Sequence, residues 1–326
     1  MRIVVTDSNL IPHRARFEEA LPADAEVYWR VGTEPRALLH GLREAEVYVG
    51  GRFTADMASV AEKLRLIHVV GAGTDRVDFA ALSEDIMVAN TFHHERSIAE
   101  YVLAAAIMLT RGFLTQDGAL RAGVWATSVH YDAILQPRTM RDARIGFVGF
   151  GHIGQFAWGL LQALGCAGAA VTGSGRVDAA ANGLTWAGDT TRLDALMSES
   201  DVVVVSAPLT PETEGLIGAA QLRALGPDGV LVNVGRGPIV DEVALYEALR
   251  DGGIRAAAVD VWYRYPATRG EQVAPSKLPF SRLPNVLMTP HASGVTADTF
   301  IGRCDDITAN IGRLARREPL CNVVTR

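Results

Sequence analysis

The chain has 326 residues, enough for two domains at about 150 residues each and for a sizeable core. Lys plus Arg number 31 against 37 Asp plus Glu, a net charge of −6, so the basic footprint of a general nucleic-acid binder is absent. Hydrophobic residues at 48% and charged residues at 21% exclude a disordered chain. Cys166, Cys304 and Cys321 are too few and too scattered for a disulfide framework or a zinc cluster, and fit idle thiols in a reducing compartment. Met1-Arg2 runs straight into Ile3-Val4-Val5, without the apolar stretch and cleavage site of a leader. The longest apolar run, Tyr101 to Leu109, falls far short of the roughly 20 residues that span a bilayer. A soluble, cytoplasmic protein is the expectation.

Short β-branched runs alternate with amphipathic stretches. Residues 2–6, 26–29, 46–49, 66–70 and 86–89 read as strands, and 12–21, 35–43 and 54–63 as helices between them, the rhythm of a parallel α/β sheet. A long helix is expected from Ser97 to Phe113, with Ser97 as N-cap, Glu100 completing a capping box and Gly112 marking the end. A second series follows. Its strands are 144–149, 168–172, 201–206, 229–234, 255–260 and 285–288, and its helices 153–165, 192–198, 219–225 and 241–250. A last amphipathic helix fits 297–317, ending in the basic run Arg313 to Arg317, whose charge suits a helix C-terminus. The Pro-containing loop 263–284 is long enough to suggest a functional role.

The most specific local signal is Gly149-Phe150-Gly151-His152-Ile153-Gly154, which follows the apolar strand Ile145 to Val148 and opens a helix. In that setting Gly149 makes the tight turn, Gly151 lets a pyrophosphate approach the backbone, and Gly154 packs helix on sheet. The free amides at the helix start then hold the phosphates. An acidic residue at the end of the next strand would select NAD. This chain instead has Thr172-Gly173-Ser174-Gly175-Arg176, with no carboxylate before Asp178. Small hydroxyls and a guanidinium suit a 2′-phosphate, so NADP is expected over NAD.

Further motifs appear in order: Val70 to Asp75 (VGAGTD), Asp201 to Thr213 (DVVVVSAPLTPET), Val232 to Asp241 (VNVGRGPIVD), Val259 to Trp262 (VDVW) and Leu283 to His291 (LPNVLMTPH). With the glycine turn they resemble the D-isomer-specific 2-hydroxyacid dehydrogenases, in particular the glyoxylate and hydroxypyruvate reductase-like members, over nearly the whole stretch from Val49 to His291. The resemblance implies an α/β fold of two Rossmann-like or flavodoxin-like domains with parallel sheets. The cofactor domain (97–290) would be inserted into a discontinuous substrate domain (1–96 plus 291–326), with an interdomain cleft between them. It implies His291 as proton donor in carbonyl reduction and Arg236 as the group that binds the 2-oxo acid's carboxylate and polarises its carbonyl. The backbone of Ala72, Gly73 and Thr74 would hold the carboxylate from the other side. Asp260 would orient the nicotinamide carboxamide. Ala207, Pro208, Thr213, Val234, Gly235, His291 and Gly294 would line the cofactor beside Gly149, Gly151, His152, Ile153, Gly154, Thr172, Ser174 and Arg176. A homodimer is the family expectation. Trp125 and His130 fall in the segment that resembles the family's dimer-forming arm, and either could cap a partner's pocket.

One position departs from the pattern. Where the family carries a glutamate before a proline, paired with the histidine, this chain has Tyr265-Pro266. Without an opposing carboxylate the charged imidazole is less favoured, while a hydroxyl can still orient the ring. Glu271 is the alternative partner within the long loop. His93-His94-Glu95 could suggest a metal, but adjacent side chains on an extended segment point apart, and no metal is expected. The expected activity is NAD(P)H-dependent reduction of a small 2-oxo acid to the D-2-hydroxy acid. The alternative is a non-enzymatic dinucleotide-sensing interaction protein of the same fold. Intact Arg236 and His291 argue against it, since a sensor needs neither; the Tyr265 change points the other way. A formate-type enzyme is disfavoured, because formate presents no carbonyl to reduce.

Overall fold

Ile3, Val4 and Val5 are fully enclosed in β1 (Arg2–Val5), as befits a strand covered on both faces. A 3-10 turn (Ser8–His13) capped by Asp7 leads into α1 (Arg14–Glu19). Then come β2 (Glu26–Trp29), α2 (Pro35–Leu42), β3 (Val47–Val49), α3 (Ala55–Ala58), β4 (Leu66–His68) and β5 (Met87–Ala89). These five strands are all parallel, in the order β2-β1-β3-β4-β5. The helix expected at 54–63 is a single turn capped by Thr54. Beyond it, successive three-residue turns (Val60 N to Met57 O, Ala61 N to Ala58 O, Leu64 N to Ala61 O) still bury Met57, Ala61 and Leu64, so apolar spacing alone did not demand a helix.

The chain continues through α4 (Glu95–Thr110) and α5 (Phe113–Arg121). One expectation fails here. The helix starts at Glu95, and the Ser97 hydroxyl donates to His94 O instead of capping. Its end falls before Gly112, as expected, where φ is +69°, but Phe113 opens a second helix. The next elements are β6 (Arg144–Val148), α6 (His152–Ala163), β7 (Ala167–Val171), β8 (Trp186–Gly188), α7 (Leu193–Glu199), β9 (Val202–Val205), α8 (Ala219–Leu225), β10 (Val230–Asn233), α9 (Glu242–Arg250), β11 (Ala256–Val259) and β12 (Val286–Met288). They form a seven-stranded parallel sheet, β12-β11-β10-β9-β6-β7-β8. The edge strand β8 was missed because Trp-Ala-Gly carries no strand pattern. One apolar layer, with Val102, Phe147, Trp158 and Val232, covers one face; another, with Leu196, Val203, Leu245 and Phe280, covers the other.

The chain ends in α10 (Ala297–Arg316), capped by Thr296. Its stripe Phe300, Cys304, Ile307, Ile311 and Leu314 recurs at helical spacing and packs with Ile3, Val5 and Val47. After it, Val323 bridges to Ala89 and extends the edge of the five-stranded sheet.

The computed structural model describes residues 1–268 and 270–325. Residue 269 of the expected loop 263–284 and residue 326 of the expected C-terminal segment lie outside the described residues. The chain divides into two compact units, one made of Met1–His93 together with the stretch from Thr296 on, the other of His94–Val295. The expected cuts at 96/97 and 290/291 therefore differ by a few residues, and His291 belongs to the second unit. No single helix among the described residues is long and apolar enough to cross a membrane.

Candidate active site

In the second unit, the sequence-selected residues fall in loops at the carboxyl ends of adjacent strands. Across the sheet they run from Thr172–Arg176 after β7, through Gly149–Gly154 after β6, Ala207–Thr213 after β9 and Val234–Arg236 after β10, to Asp260 after β11 and His291 after β12. Six parallel strands at about 4.8 Å spacing set these loops along roughly 24 Å of sheet edge, the edge at which open α/β sheets bind ligands.

Gly149 has φ +89°, and a Cβ there would lie 2.6 Å from Ala207 N. Conformation and close approach both require glycine. Gly151, by contrast, is the N-cap of α6 at φ −81°, and a Cβ there would enter open space. No side chain caps this helix and no acidic residue sits in its first turn. The amides at Ile153 and Gly154 are thus left to an anion in front of Gly151. The turn therefore fits a dinucleotide pyrophosphate.

At the end of β7, Thr172 Oγ1 accepts the Gly175 amide and Ser174 Oγ accepts the Arg176 amide, which curls the loop and leaves Ser174 and Arg176 exposed. Gly175 packs against Asp189, whose Oδ1 accepts the amide and hydroxyl of Thr191.

Several expected cofactor residues carry structural work. The Thr213 hydroxyl donates to Pro208 O at 2.7 Å and accepts the Thr210 amide at 2.8 Å, closing its own loop. The Ala207 backbone is gripped between Gly149 and Gly235, since a Cβ at Gly235 would lie 2.8 Å from Ala207 O. A Cβ at Gly294 would lie 3.2 Å from His94 Cβ, so this glycine admits α4. Asn233, not singled out in the sequence, shapes the arginine loop: its Oδ1 accepts the Gly235 amide and its Nδ2 donates to Arg236 O. Half-buried Arg236 donates from Nη1 to Gly235 O.

His291 follows Pro290 in the left-handed region, φ +57°. Tyr265 Oη lies 3.1 Å from its Nδ1 and accepts the Trp262 amide at 2.9 Å. Trp262 Nε1 in turn donates to Thr289 O. Glu271 instead closes its own turn, its Oε2 accepting the amides of Ala267 and Thr268, while the histidine's Nδ1 faces Tyr265.

Asp260 is 0% exposed. Oδ1 accepts the Thr289 hydroxyl and the Ala292 amide, and Oδ2 accepts the amide and hydroxyl of Ser293. All four lone-pair positions of the carboxylate are thus used within the chain. The structure thus ties Asp260 to the turn that carries His291. Tyr101, on α4, is hydrogen-bonded to Thr289 Oγ1 at 2.9 Å, and burial pushes its pKa up to about 12, so the hydroxyl stays protonated. The Tyr101–Thr289–Asp260–Ser293 chain was not legible in the sequence. Only the TPH motif and the DVW motif hinted at its two ends.

In the first unit, the loop after β4 is tied by Asn90 Nδ2 to Ala72 O and by the Thr91 amide to Gly71 O. Among the described residues, the amides of Ala72, Gly73 and Thr74 donate to no other group. Such a row of free amides can hold an anion. No group of three or more His, Cys, Asp or Glu side chains able to hold a metal is found among the described residues. His93 pairs with Asp306, while His152 lies 3.8 Å from Glu95.

A parallel sheet with a glycine turn at its centre and an Arg, Asp and His along the same edge defines a dinucleotide-dependent dehydrogenase class. The profile of the D-isomer specific 2-hydroxyacid dehydrogenase, NAD binding domain, matches residues 103–293, more than half the chain. The chain belongs to that family. It is 32% identical to the D-3-phosphoglycerate dehydrogenase of Mycobacterium leprae over 86% of its length and 51% of that protein. It is 28% identical to the glycerate dehydrogenase of Methylorubrum extorquens over 87% of each. Among solved structures, the TT0316 protein from Thermus thermophilus superposes over the whole of both chains with TM-score 0.80 at 28% identity. The chain spans about half the length of the mycobacterial phosphoglycerate dehydrogenases it matches.

Proposed function

We propose that the protein reduces a small 2-oxo acid, glyoxylate or hydroxypyruvate, to the D-2-hydroxy acid, with NADPH preferred over NADH. The observation that carries this reading is the single sheet edge that holds the phosphate turn, Arg236 and the Tyr265–His291 pair in order. When bound, the nicotinamide cofactor supplies the hydride. Arg236 pairs with the substrate carboxylate and polarises its carbonyl through a charged, planar donor. In the first unit, the amides of Ala72, Gly73 and Thr74 are a candidate row for holding an anion. His291 delivers the proton from Nε2, with its ring set by Tyr265 at Nδ1. Arg176, Ser174 and Thr172 receive the 2′-phosphate. The glycerate dehydrogenase similarity, which extends over most of both chains, supports hydroxypyruvate.

The protein acts as a homodimer in this reading. The segment from α5 to Leu135 is rich in exposed apolar side chains, with Trp125 61%, Val129 82% and Leu135 86% exposed, and a second copy would cover them.

The deciding experiment measures NADPH and NADH oxidation with glyoxylate, hydroxypyruvate, pyruvate and phenylpyruvate. Turnover of glyoxylate or hydroxypyruvate with D-product is expected. No turnover with any of the four, together with clear dinucleotide binding, would overturn the reading in favour of a sensing role.

A further inference from the structure

We propose that the second unit carries a further ligand site, a cavity beside Tyr265 that takes a small aromatic carboxylate. It is separate from the substrate position read above, and every residue that lines it belongs to that unit.

The cavity measures about 350 Å³, within the range of about 300–1,000 Å³ found for small-molecule sites. Trp262, Tyr265, Pro266 and Val273 wall it from the segment after β11, and Met288 and Pro290 from the end of β12. The long loop 263–284 thus forms much of it. Two bonds hold these walls together: the Arg264 amide donates to Pro275 O at 2.9 Å, and Trp262 Nε1 donates to Thr289 O at 2.8 Å. The polar side-chain groups of the wall are spent inside the chain. The indole N–H is used as just described, the Thr289 hydroxyl donates to Asp260, and Tyr265 Oη accepts the Trp262 amide and meets His291 Nδ1. What the wall offers a ligand is therefore apolar, with aromatic and proline rings that suit a flat body.

Arg264 is the charged residue of the lining. Both it and Tyr265 are exposed, so the cavity can be entered from solvent. Among the described residues, no group accepts a hydrogen bond from the Arg264 guanidinium. The competing anion is Glu271, which feels the Arg264 charge. The two form no ion pair among the described residues, and Glu271 Oε2 accepts the amides of Ala267 and Thr268. A cation beside an apolar cavity selects an apolar body that carries one anionic group, and a planar guanidinium matches a carboxylate. Tyr265 both walls the cavity and holds the imidazole at Nδ1, whereas the proton of the proposed reduction leaves from Nε2. A ligand here should therefore not compete with the substrate.

The test is calorimetric titration of phenylacetate into the full chain, as wild type, Arg264→Gln and Val273→Trp. Saturable one-to-one binding is expected in wild type. Arg264→Gln removes an exposed charge and should weaken it about three- to fivefold. Phenylacetamide, which lacks the anion, should bind wild type and Arg264→Gln alike, so that the loss belongs to the carboxylate–guanidinium pair. Val273→Trp fills the cavity and should abolish binding with Tm unchanged. Acetate should not bind, and oxamate, a non-reacting 2-oxo acid analogue, should not displace phenylacetate. No saturable binding at millimolar phenylacetate would overturn the proposal. So would displacement by oxamate, or equal phenylacetate affinity in wild type and a folded Val273→Trp, since either places the ligand elsewhere. If Val273→Trp melts well below wild type, Arg264→Gln decides alone, and phenylacetate affinity equal to wild type overturns the site. None of these readouts needs turnover, so failure of the dehydrogenase reading would leave the test intact.

Discussion

Tyr265 Oη stands 3.1 Å from His291 Nδ1 while accepting the Trp262 amide, so a neutral hydroxyl holds the imidazole where the family resemblance leads one to expect a carboxylate. A hydroxyl can donate to a bare Nδ1 or accept from Nδ1–H, so the ring keeps its orientation in both protonation states. A carboxylate can only accept, and its charge favours the imidazolium. Reduction, which needs the protonated ring, should therefore fall with rising pH at a lower pH in wild type than in Tyr265→Glu. The expected separation is about one pH unit or more. The measurement is the pH profile of kcat/KM for hydroxypyruvate. Coincident profiles would show that position 265 does not set the histidine's protonation.

Gly149 and Gly151 stand two residues apart in one motif, yet different forces select them. Gly149→Ala places a Cβ 2.6 Å from Ala207 N at φ +89° and should cost about 3 kcal/mol or more in stability. Gly151→Ala meets no protein atom, so Tm should hold while dinucleotide affinity falls at least about tenfold. Thermal melts and calorimetric titration with NADPH separate the two. A Gly151→Ala protein that binds NADPH normally would remove the pyrophosphate from this turn.

The motifs were legible because their information is short-range: strand, glycine turn and helix start lie within ten residues around Gly149, and Pro266 fixes the register that exposes the Tyr265 change. The two parallel sheets were legible from alternating runs. The start of α4 was misread because Ser97 and Glu100 imitate a capping box two residues inside the helix. The four bonds on Asp260 come from residues about thirty positions away. No local pattern encodes them, so the motif expected to contact the cofactor gave no sign that its aspartate also anchors the histidine turn.

Arg176→Ala tests cofactor choice. Ser174 and Arg176 are exposed at the end of β7, and Asp189 beside Gly175 is occupied by Thr191. Loss of the guanidinium should raise the NADPH KM about tenfold and leave NADH within about twofold. It should also abolish 2′,5′-ADP binding measured by calorimetry. An unchanged ratio of the two cofactors would exclude Arg176 from selectivity.

His68 makes the first unit acid-labile. Burial lowers its pKa from 6.5 to about 4, and its Nε2 accepts from Asn310 Nδ2 at 3.0 Å. The same Asn310 holds both backbone groups of Cys321 in the C-terminal tail. With the folded value below the unfolded one, the unfolded chain binds more protons between these pH values. Stability therefore rises with pH across that window and is lost as pH falls. Between pH 7 and pH 5 the loss from this residue should be about 2 kcal/mol. Urea unfolding of wild type and His68→Gln at the two pH values checks it. An equal pH dependence in both would mean that His68 titrates normally.

Asp260→Asn separates anchoring from cofactor binding. The carboxylate accepts two donors at each oxygen. An asparagine keeps one acceptor and turns an NH₂ group toward two donors, so two charge-assisted bonds are lost and a repulsive contact is made. The cost should be at least about 3 kcal/mol. It should fall on the turn from Thr289 to Ser293, which holds His291 at φ +57°. As an anchor, Asp260 predicts that kcat drops about 10- to 100-fold with the protein still folded, while the KM for NADPH changes by no more than about twofold. Ser293→Ala, which removes one of the four donors and leaves the carboxylate in place, should show a smaller fall of the same kind. If Asp260 instead held the nicotinamide, Asp260→Asn would raise the cofactor KM and Ser293→Ala would leave kcat untouched. Steady-state kinetics of the two variants, with thermal melts to confirm folding, distinguish these outcomes.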